Sequence, residues 1–510
     1  MVYKVFSGRV GGIFGDLVTV EIDSSPGLPA LDMIGLLGSE VREAKERVRV
    51  SLKNNGINLP AMRITVNLSP ADEHKSGTAF DLPIAIAVLG VFGHIPDFDP
   101  AKTLITGELS LDGEVKRIKG AIPIAKMARD KGFRHIMVPL DNVKEASMIR
   151  GISVIGVSSL SEAMGLLMKG IDDAYGSPDS KVVFENEEAG DHPDFKDIIG
   201  QENAKKAAVI AAAGFHHLLM TGPPGSGKSL IAKCIPGIMP GLDYEACLEI
   251  SSIYSVAGLL NDKMPFVTRR PFISPHHSAS DKSLVGGGPK AGPGLVSLSH
   301  GGILFLDEMP EFKRDTLDML RQPLEDGTIT ISRTHGNYTY PARFMLVGAM
   351  NPCPCGYYPD RNRCTCNAPK IEKYLSHISG PLLDRIDLCV EVPRIDRTTL
   401  KLHGITVSSS EDLKSIVSEA VKRQEMRYRN ESFKFNSFLP VSLIDKYVSL
   451  GESERDYMIS TYERLKLSMR SYNKILRVAR TIADTEGCEK IKTGHLMMAS
   501  CYRFPDYIAR

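Results

Sequence analysis

The chain has 510 residues, room for about two to four domains, and its 43% hydrophobic content is that of a globular protein with substantial cores. With 62 Lys+Arg against 61 Asp+Glu the net charge is +1, which excludes a globally basic nucleic-acid coat and leaves any such binding to local surface or a channel. Nine cysteines in so long a chain do not make a disulfide scaffold, and no run of about 18 uncharged apolar residues offers a membrane span.

The first residues, Met1 to Phe6, lack the basic-then-apolar layout of an export signal, so a cytoplasmic location and no membrane partner are expected. Residues 1–170 read as one α/β unit. Strand character runs from Ile13 to Ile22 and from Arg63 to Leu68, and helical spacing from Val41 to Leu52. A hairpin turning at Asp112-Gly113, a helix from Ile118 to Arg129, a strand from His135 to Val138 and a helix from Leu160 to Met168 follow. Residues 171–194 turn polar and acidic, as a linker does.

A nucleotide-binding core is expected over 195–400. The apolar run Leu218-Leu219-Met220 feeds Gly222, Pro223, Pro224, Gly225, Ser226, Gly227, Lys228 and Ser229, followed by Leu230. This is a glycine-rich turn between strand and helix, whose inward N–H groups cradle phosphates. Lys228 would reach the β/γ-phosphates of ATP and the Ser229 hydroxyl would sit on Mg²⁺. A second apolar strand, Ile303 to Leu306, ends in Asp307 and Glu308. Asp307 suits the Mg²⁺ shell, and Glu308 suits orienting and deprotonating a water.

Two insertions follow the phosphate loop. The glycine-rich stretch 283–294, flanked by Lys282 and containing Lys290, has the composition of a mobile loop, and the neighbouring His276 and His277 suit polar loop packing better than a metal site. Residues 325–344 alternate around a Gly-Asn tip and read as a hairpin bearing Arg333 and His335, either a phosphate-touching element or a solvated one. Cys353, Cys355, Cys364 and Cys366 put four thiols within fourteen residues. A Cys₄ zinc site leads the readings, ahead of reduced free thiols and redox chemistry, although C-x-C pairs are less usual than C-x₂-C. Residues 401–510 are mostly helical, and Arg464, Lys466, Arg470, Lys474, Arg477 and Arg480 form a basic stretch open to two readings, a phosphate-reaching surface or a solvated helix face.

Several stretches together carry a family resemblance: Asp197 to Lys205, the phosphate loop, Arg270 to Ser280, His300 to Glu308, Gly348 to Gly356 and Gly380 to Asp387. They resemble the AAA+ ATPases, in the magnesium-chelatase-like branch that holds the ComM/YifB family. The resemblance implies an α/β P-loop core with a C-terminal helical lid. It implies that Asn351 is the sensor-1 amide, Arg385 an arginine finger acting on a neighbouring subunit, and Arg470 the sensor-2 arginine, with Arg477 as its competitor. Asp384 and Asp387 are the alternative partners of Arg385. An arginine acting in trans implies an oligomer, in this family a ring and most readily a hexamer, with the 325–344 hairpin pointing into its channel.

Residues 1–170 resemble the Lon protease domain through Lys75 to Asp81 and Thr106 to Val115. The nucleophile position holds Ala79 and the lysine position Ile122, while Ser76, Lys116 and Lys119 lie out of register. Peptidase activity is therefore not expected. The resemblance to the ComM/YifB family implies an ATP-driven DNA translocase or branch-migration helicase acting on recombination intermediates during DNA uptake, with single-stranded, forked or branched DNA as its partner. A magnesium-chelatase motor subunit and a nucleotide-switched scaffold are the other readings.

Overall fold

The computed structural model describes residues 2–96, 98–171, 192–288, 291–333, 336–360, 362–395 and 408–504. The N-terminal unit is built on a seven-stranded mixed sheet, ordered β3-β4-β2-β1-β5-β8-β9. Its strands are β1 (Tyr3–Gly11), β2 (Phe14–Pro26), β3 (Ala30–Ile34), β4 (Met62–Ser69), β5 (Thr103–Ile105), β8 (His135–Pro139) and β9 (Ser153–Val157), with a side hairpin of β6 (Glu108–Leu109) and β7 (Val115–Lys116). Alternation drives β2, where Val18, Val20 and Ile22 are all fully buried. The side hairpin turns at Asp112-Gly113, with Gly113 at φ +93°.

The helix Asp81–Val91 has no alternation, because every residue from Asp81 to Leu89 is buried. It is apolar all round and forms the centre of this unit's core. Asp81 is the exception in chemistry: Arg47 donates to both of its carboxylate oxygens, at 2.7 and 3.0 Å.

The second unit has a five-stranded, all-parallel sheet ordered β11-β14-β17-β10-β18, formed by β10 (Leu218–Thr221), β11 (Phe272–Ile273), β14 (Ile303–Leu306), β17 (Met345–Met350) and β18 (Leu388–Glu391). Strands β10, β14 and β17 are buried along their whole length, which is why they read as continuous apolar runs. Strand β17 enters between β10 and β14, pairing Thr221 with Met350 on one side and Leu306 with Gly348 on the other. The C-terminal ends of three strands from distant parts of the chain therefore open on one crevice.

The chain continues into the helices Ser410–Arg427, Glu452–Arg464, Met469–Thr485 and Thr493–Cys501. These share one hydrophobic cluster with the helices Glu202–Gly214 and Lys228–Ile238. The architecture is thus mixed α/β, with a parallel-sheet core of P-loop type and a helical C-terminal region. Of the acidic stretch 171–194, residues 172–191 lie outside the described residues. Among the described residues no helix is long and apolar enough to cross a membrane.

Candidate nucleotide site

The phosphate loop folds as its residue types require. Gly225 and Gly227 adopt φ +71° and +97°, left-handed conformations that cost other residues about 1–2 kcal/mol. A Cβ on Gly222 would stand 2.2 Å from the Val392 carbonyl oxygen, so only glycine lets the loop leave β10 beside the end of β18. The helix Lys228–Ile238 begins directly at Gly227, turning its free N–H groups toward the loop. Gln201 holds the loop from outside, its side-chain amide donating to the Ser226 and Pro393 carbonyls at 3.3 and 2.6 Å.

Lys228 is 8% exposed, and its ammonium donates to the Gly222 and Pro223 carbonyls at 2.8 and 2.9 Å and to Asn351 Oδ1 at 3.2 Å. Burial lowers its pKa, opposed by the charges of Asp307 and Glu308. Ser229 Oγ donates to Asp307 Oδ2 at 2.7 Å. This hydroxyl–carboxylate pair is the hard oxygen set that Mg²⁺ takes, so the residues fit the ion. Glu308, a non-glycine residue, sits at φ +49° with its N–H bonded to Asp307 Oδ1 at 3.0 Å. Such a conformation in a cleft is the kind of strain that functional sites retain. Residues 224–230, Asp307, Glu308 and Asn351 together line a cleft of about 360 Å³.

Arg385 and Arg470 are elsewhere. They line a second cleft of about 410 Å³, with Lys474 and Arg477, that shares no lining residue with the first. Glu325, for which the sequence offers no signal, pairs with both: with Arg385 in close contact and with Arg470 at 3.5 Å. The Arg385 guanidinium holds the Glu325 carboxyl below its usual range. Asp384 and Asp387, the alternative partners from the sequence, are not the ones Arg385 uses. Asp387 instead accepts the His217 N–H at 2.9 Å and lies 3.6 Å from His216 Nδ1.

The basic stretch of the C-terminal helices does not form one surface. Arg480 is 3% exposed and bound to Asp484 and to the Cys488 and Glu489 carbonyls, and Lys474 donates to the Ile386 carbonyl at 2.8 Å. Burial and pairing, which single-residue charge does not reveal, remove Arg480 from phosphate contact, whereas Lys474 is half-buried and lines the cleft of Arg385 and Arg470.

The hairpin of β15 (Thr328–Arg333) and β16 (Gly336–Pro341) forms, but Gly336 and Asn337 are not its turn: they open β16 and pair with Arg333 and Ser332. Arg333 lines a cleft of about 690 Å³ between this hairpin and the N-terminal unit, and a Cβ on Gly12 would meet the Thr339 carbonyl at 2.8 Å. His335 and Lys290 lie outside the described residues. Within the glycine-rich insertion, Gly286–Gly287 pairs with Gly292–Pro293. His276 packs against His277, the rings tilted with centroids 4.0 Å apart, and bonds Ser278 Oγ at 2.8 Å, as polar loop packing requires. Ala79 and Ile122 share an apolar cluster with the helix Tyr244–Ala257, which leaves no acid–base group at either position. The four cysteine sulfurs of 353–366 lie within 4.8 Å of one another.

Residues 194–400 match the family described as magnesium chelatase, subunit ChlI, residues 20–142 the family described as subunit ChlI of Mg-chelatase, and residues 407–503 that of its C-terminal part. The YifB protein of Escherichia coli is 40% identical over 496 residues, covering 97% of this chain and 96% of the relative. The competence protein ComM of Haemophilus influenzae is 38% identical over 501 residues, covering 98% and 97%. The magnesium-chelatase 38 kDa subunit of Rhodobacter capsulatus is 25% identical over 323 residues, covering 59% and 84%. Near-full-length identity at this level, on a parallel-sheet core whose phosphate loop and acidic strand end meet in one cleft, places the chain in the YifB/ComM family of magnesium-chelatase-like AAA+ proteins.

Proposed function

We propose that this protein is an ATP-hydrolysing ring motor that moves DNA. The observation that carries the ATPase reading is the convergence of Lys228, Ser229, Asp307, Glu308 and Asn351 at the ends of three neighbouring strands. Lys228 places positive charge against the β/γ-phosphates. Ser229 and Asp307 supply oxygen ligands to Mg²⁺, which when bound neutralises charge on the phosphate oxygens. Glu308 accepts a proton from the attacking water, and Asn351 orients that water. Arg385 and Arg470 line a cleft apart from their own chain's phosphate loop, and their action on a neighbouring copy calls for a homo-oligomer, a hexameric ring in the family pattern. The protein then divides into a Lon-like unit without its Ser-Lys dyad at 1–170, a linker at 171–194, an AAA+ core at 195–400 and a helical lid at 401–510.

DNA as cargo is supported by the competence relative and by the hairpin bearing Arg333. The substrate class is forked or branched DNA of recombination during DNA uptake. Hydrolysis measured with Mg²⁺, with and without forked and four-way DNA, tests this. Stimulation by DNA that disappears in Glu308→Gln, with nucleotide binding retained, is expected. Hydrolysis indifferent to every DNA would transfer the motor to a protein or tetrapyrrole partner, the second reading that the chelatase-subunit similarity favours.

A further inference from the structure

The loop from Cys353 to Cys366 follows directly on Asn351 and makes a cluster of its own. Its buried apolar members are Cys353, Cys366 and Ile371, with Cys355, Tyr358, Cys364 and Leu375 packed around them. More than half of that cluster is cysteine, too little apolar surface to hold fourteen residues of turn without a cross-link. The sulfurs are arranged for one. Cys353 and Cys355 Sγ are 3.3 Å apart, Cys353 and Cys364 3.8 Å, Cys355 and Cys364 3.7 Å, and Cys366 completes the group within 4.8 Å. Four thiolates about 2.3 Å from a tetrahedral ion stand about 3.8 Å from one another.

Backbone amides support the same arrangement. The N–H groups of Tyr357 and Thr365 point at Cys355 Sγ, that of Cys366 at Cys364 Sγ, and that of Cys355 at Cys366 Sγ. Donors converging on sulfur stabilise thiolates and orient them as ligands. A mononuclear ion fits this spacing, whereas thiolates on a four-iron cluster stand wider apart. Thiolate ligands in a tetrahedron select zinc.

The loop is pressed on the nucleotide site. Gly356, at φ +83°, lies so near the phosphate loop that a Cβ there would stand 2.3 Å from Pro224 Cδ. The backbone N–H of Asn351 points toward the hydroxyl of Tyr374, on the helix Ala368–Leu375 that follows Cys366. We propose that Cys353, Cys355, Cys364 and Cys366 bind one zinc ion, and that the metal-closed loop braces Pro224 and Asn351 as the outer wall of the nucleotide site. The metal half stands alone, while the bracing half rests on the ATPase reading.

Elemental analysis of the full chain, purified without chelators, tests the metal half, with one zinc per chain expected. A mercurial titration of the same protein should release that zinc as four thiols react. Cys364→Ser with Cys366→Ser should lose the zinc. Zinc well below one per chain, stoichiometric iron with visible absorbance, or full zinc in the double variant would each overturn the metal half. Gly356→Ala leaves all four sulfurs in place and tests the bracing: it should keep its zinc yet bind a fluorescent ADP analogue about tenfold or more weakly. Unchanged affinity in that variant overturns the bracing. A wild-type chain that holds zinc but binds no nucleotide would sink the ATPase reading and leave the metal site standing.

Discussion

Glu308 and Asn351 reach the phosphate-loop cleft by different devices. Glu308 uses a left-handed backbone turn immediately after Asp307, while Asn351 simply continues β17 and meets Lys228 at 3.2 Å. Removing the Asn351 amide leaves the Gly222 and Pro223 carbonyls to hold Lys228, so nucleotide should still bind. Asn351→Ala is therefore expected to slow single-turnover hydrolysis about 10²-fold while ADP affinity changes by less than about threefold. A parallel collapse of affinity and rate would instead make Asn351 a prop for Lys228. These residues were legible in the sequence because each stands at the end of an apolar run. Glu325 was not, since one acidic residue before a hairpin has no pattern until Arg385 and Arg470 are folded against it.

Among the elements, the helix Met469–Thr485 helps to join the C-terminal helices to the core. Lys474 caps the Ile386 carbonyl and Thr481 bonds His216 Nε2 at 2.7 Å, while His216 and His217 flank Asp387. Burial works against ionisation of Asp387, but the neighbouring His216 ring, 3.6 Å away, and the charge of Lys474 outweigh it and hold the carboxyl well below its usual range. A depressed folded-state value contributes stability above the ordinary carboxylate range, and that contribution fades as pH falls toward the folded value. Asp387→Asn should cost about 3 kcal/mol at pH 7, and its thermal midpoint should fall less than that of wild type between about pH 5 and pH 3. Equal slopes in the two proteins would remove Asp387 from the account. The element types themselves were largely readable: the helix Ser39–Asn54 and strands β2, β4 and β8 lie where periodicity puts them. The helix Asp81–Val91 escaped that reading because complete burial erases periodicity.

Across the whole molecule, the phosphate-loop cleft and the arginine cleft have no residue in common. If the arginines of one copy complete the site of the next, two inactive variants should rescue each other. Lys228→Ala mixed with Arg385→Ala is expected to regain hydrolysis that neither shows alone, and absence of any recovery would place the arginines' work within one chain. The N-terminal unit is not an appendage in this structure. Its helix Ala121–Asp130 packs on the helix Tyr244–Ala257 of the core, where the Gly120 N–H donates to the Ser255 carbonyl at 3.0 Å. Ile122 is buried within that contact. A lysine at this position would meet apolar packing.

The sequence by itself determined what depends on consecutive residues. Loop glycines, the lysine and serine after them, an acidic pair ending an apolar strand and two C-x-C pairs each carry their chemistry within a few positions, because backbone geometry and side-chain type act locally. Tertiary structure alone decided the relations between such segments. It inserted β17 between β10 and β14, bringing Asn351 to Lys228; it set Arg470 beside Arg385 rather than beside the phosphate loop; it buried Arg480 and tied Lys474 to the Ile386 carbonyl; and it pressed Gly356 onto Pro224. Strand order and the meeting of distant side chains follow from burying apolar surface between segments far apart in the chain, and no local pattern encodes that outcome.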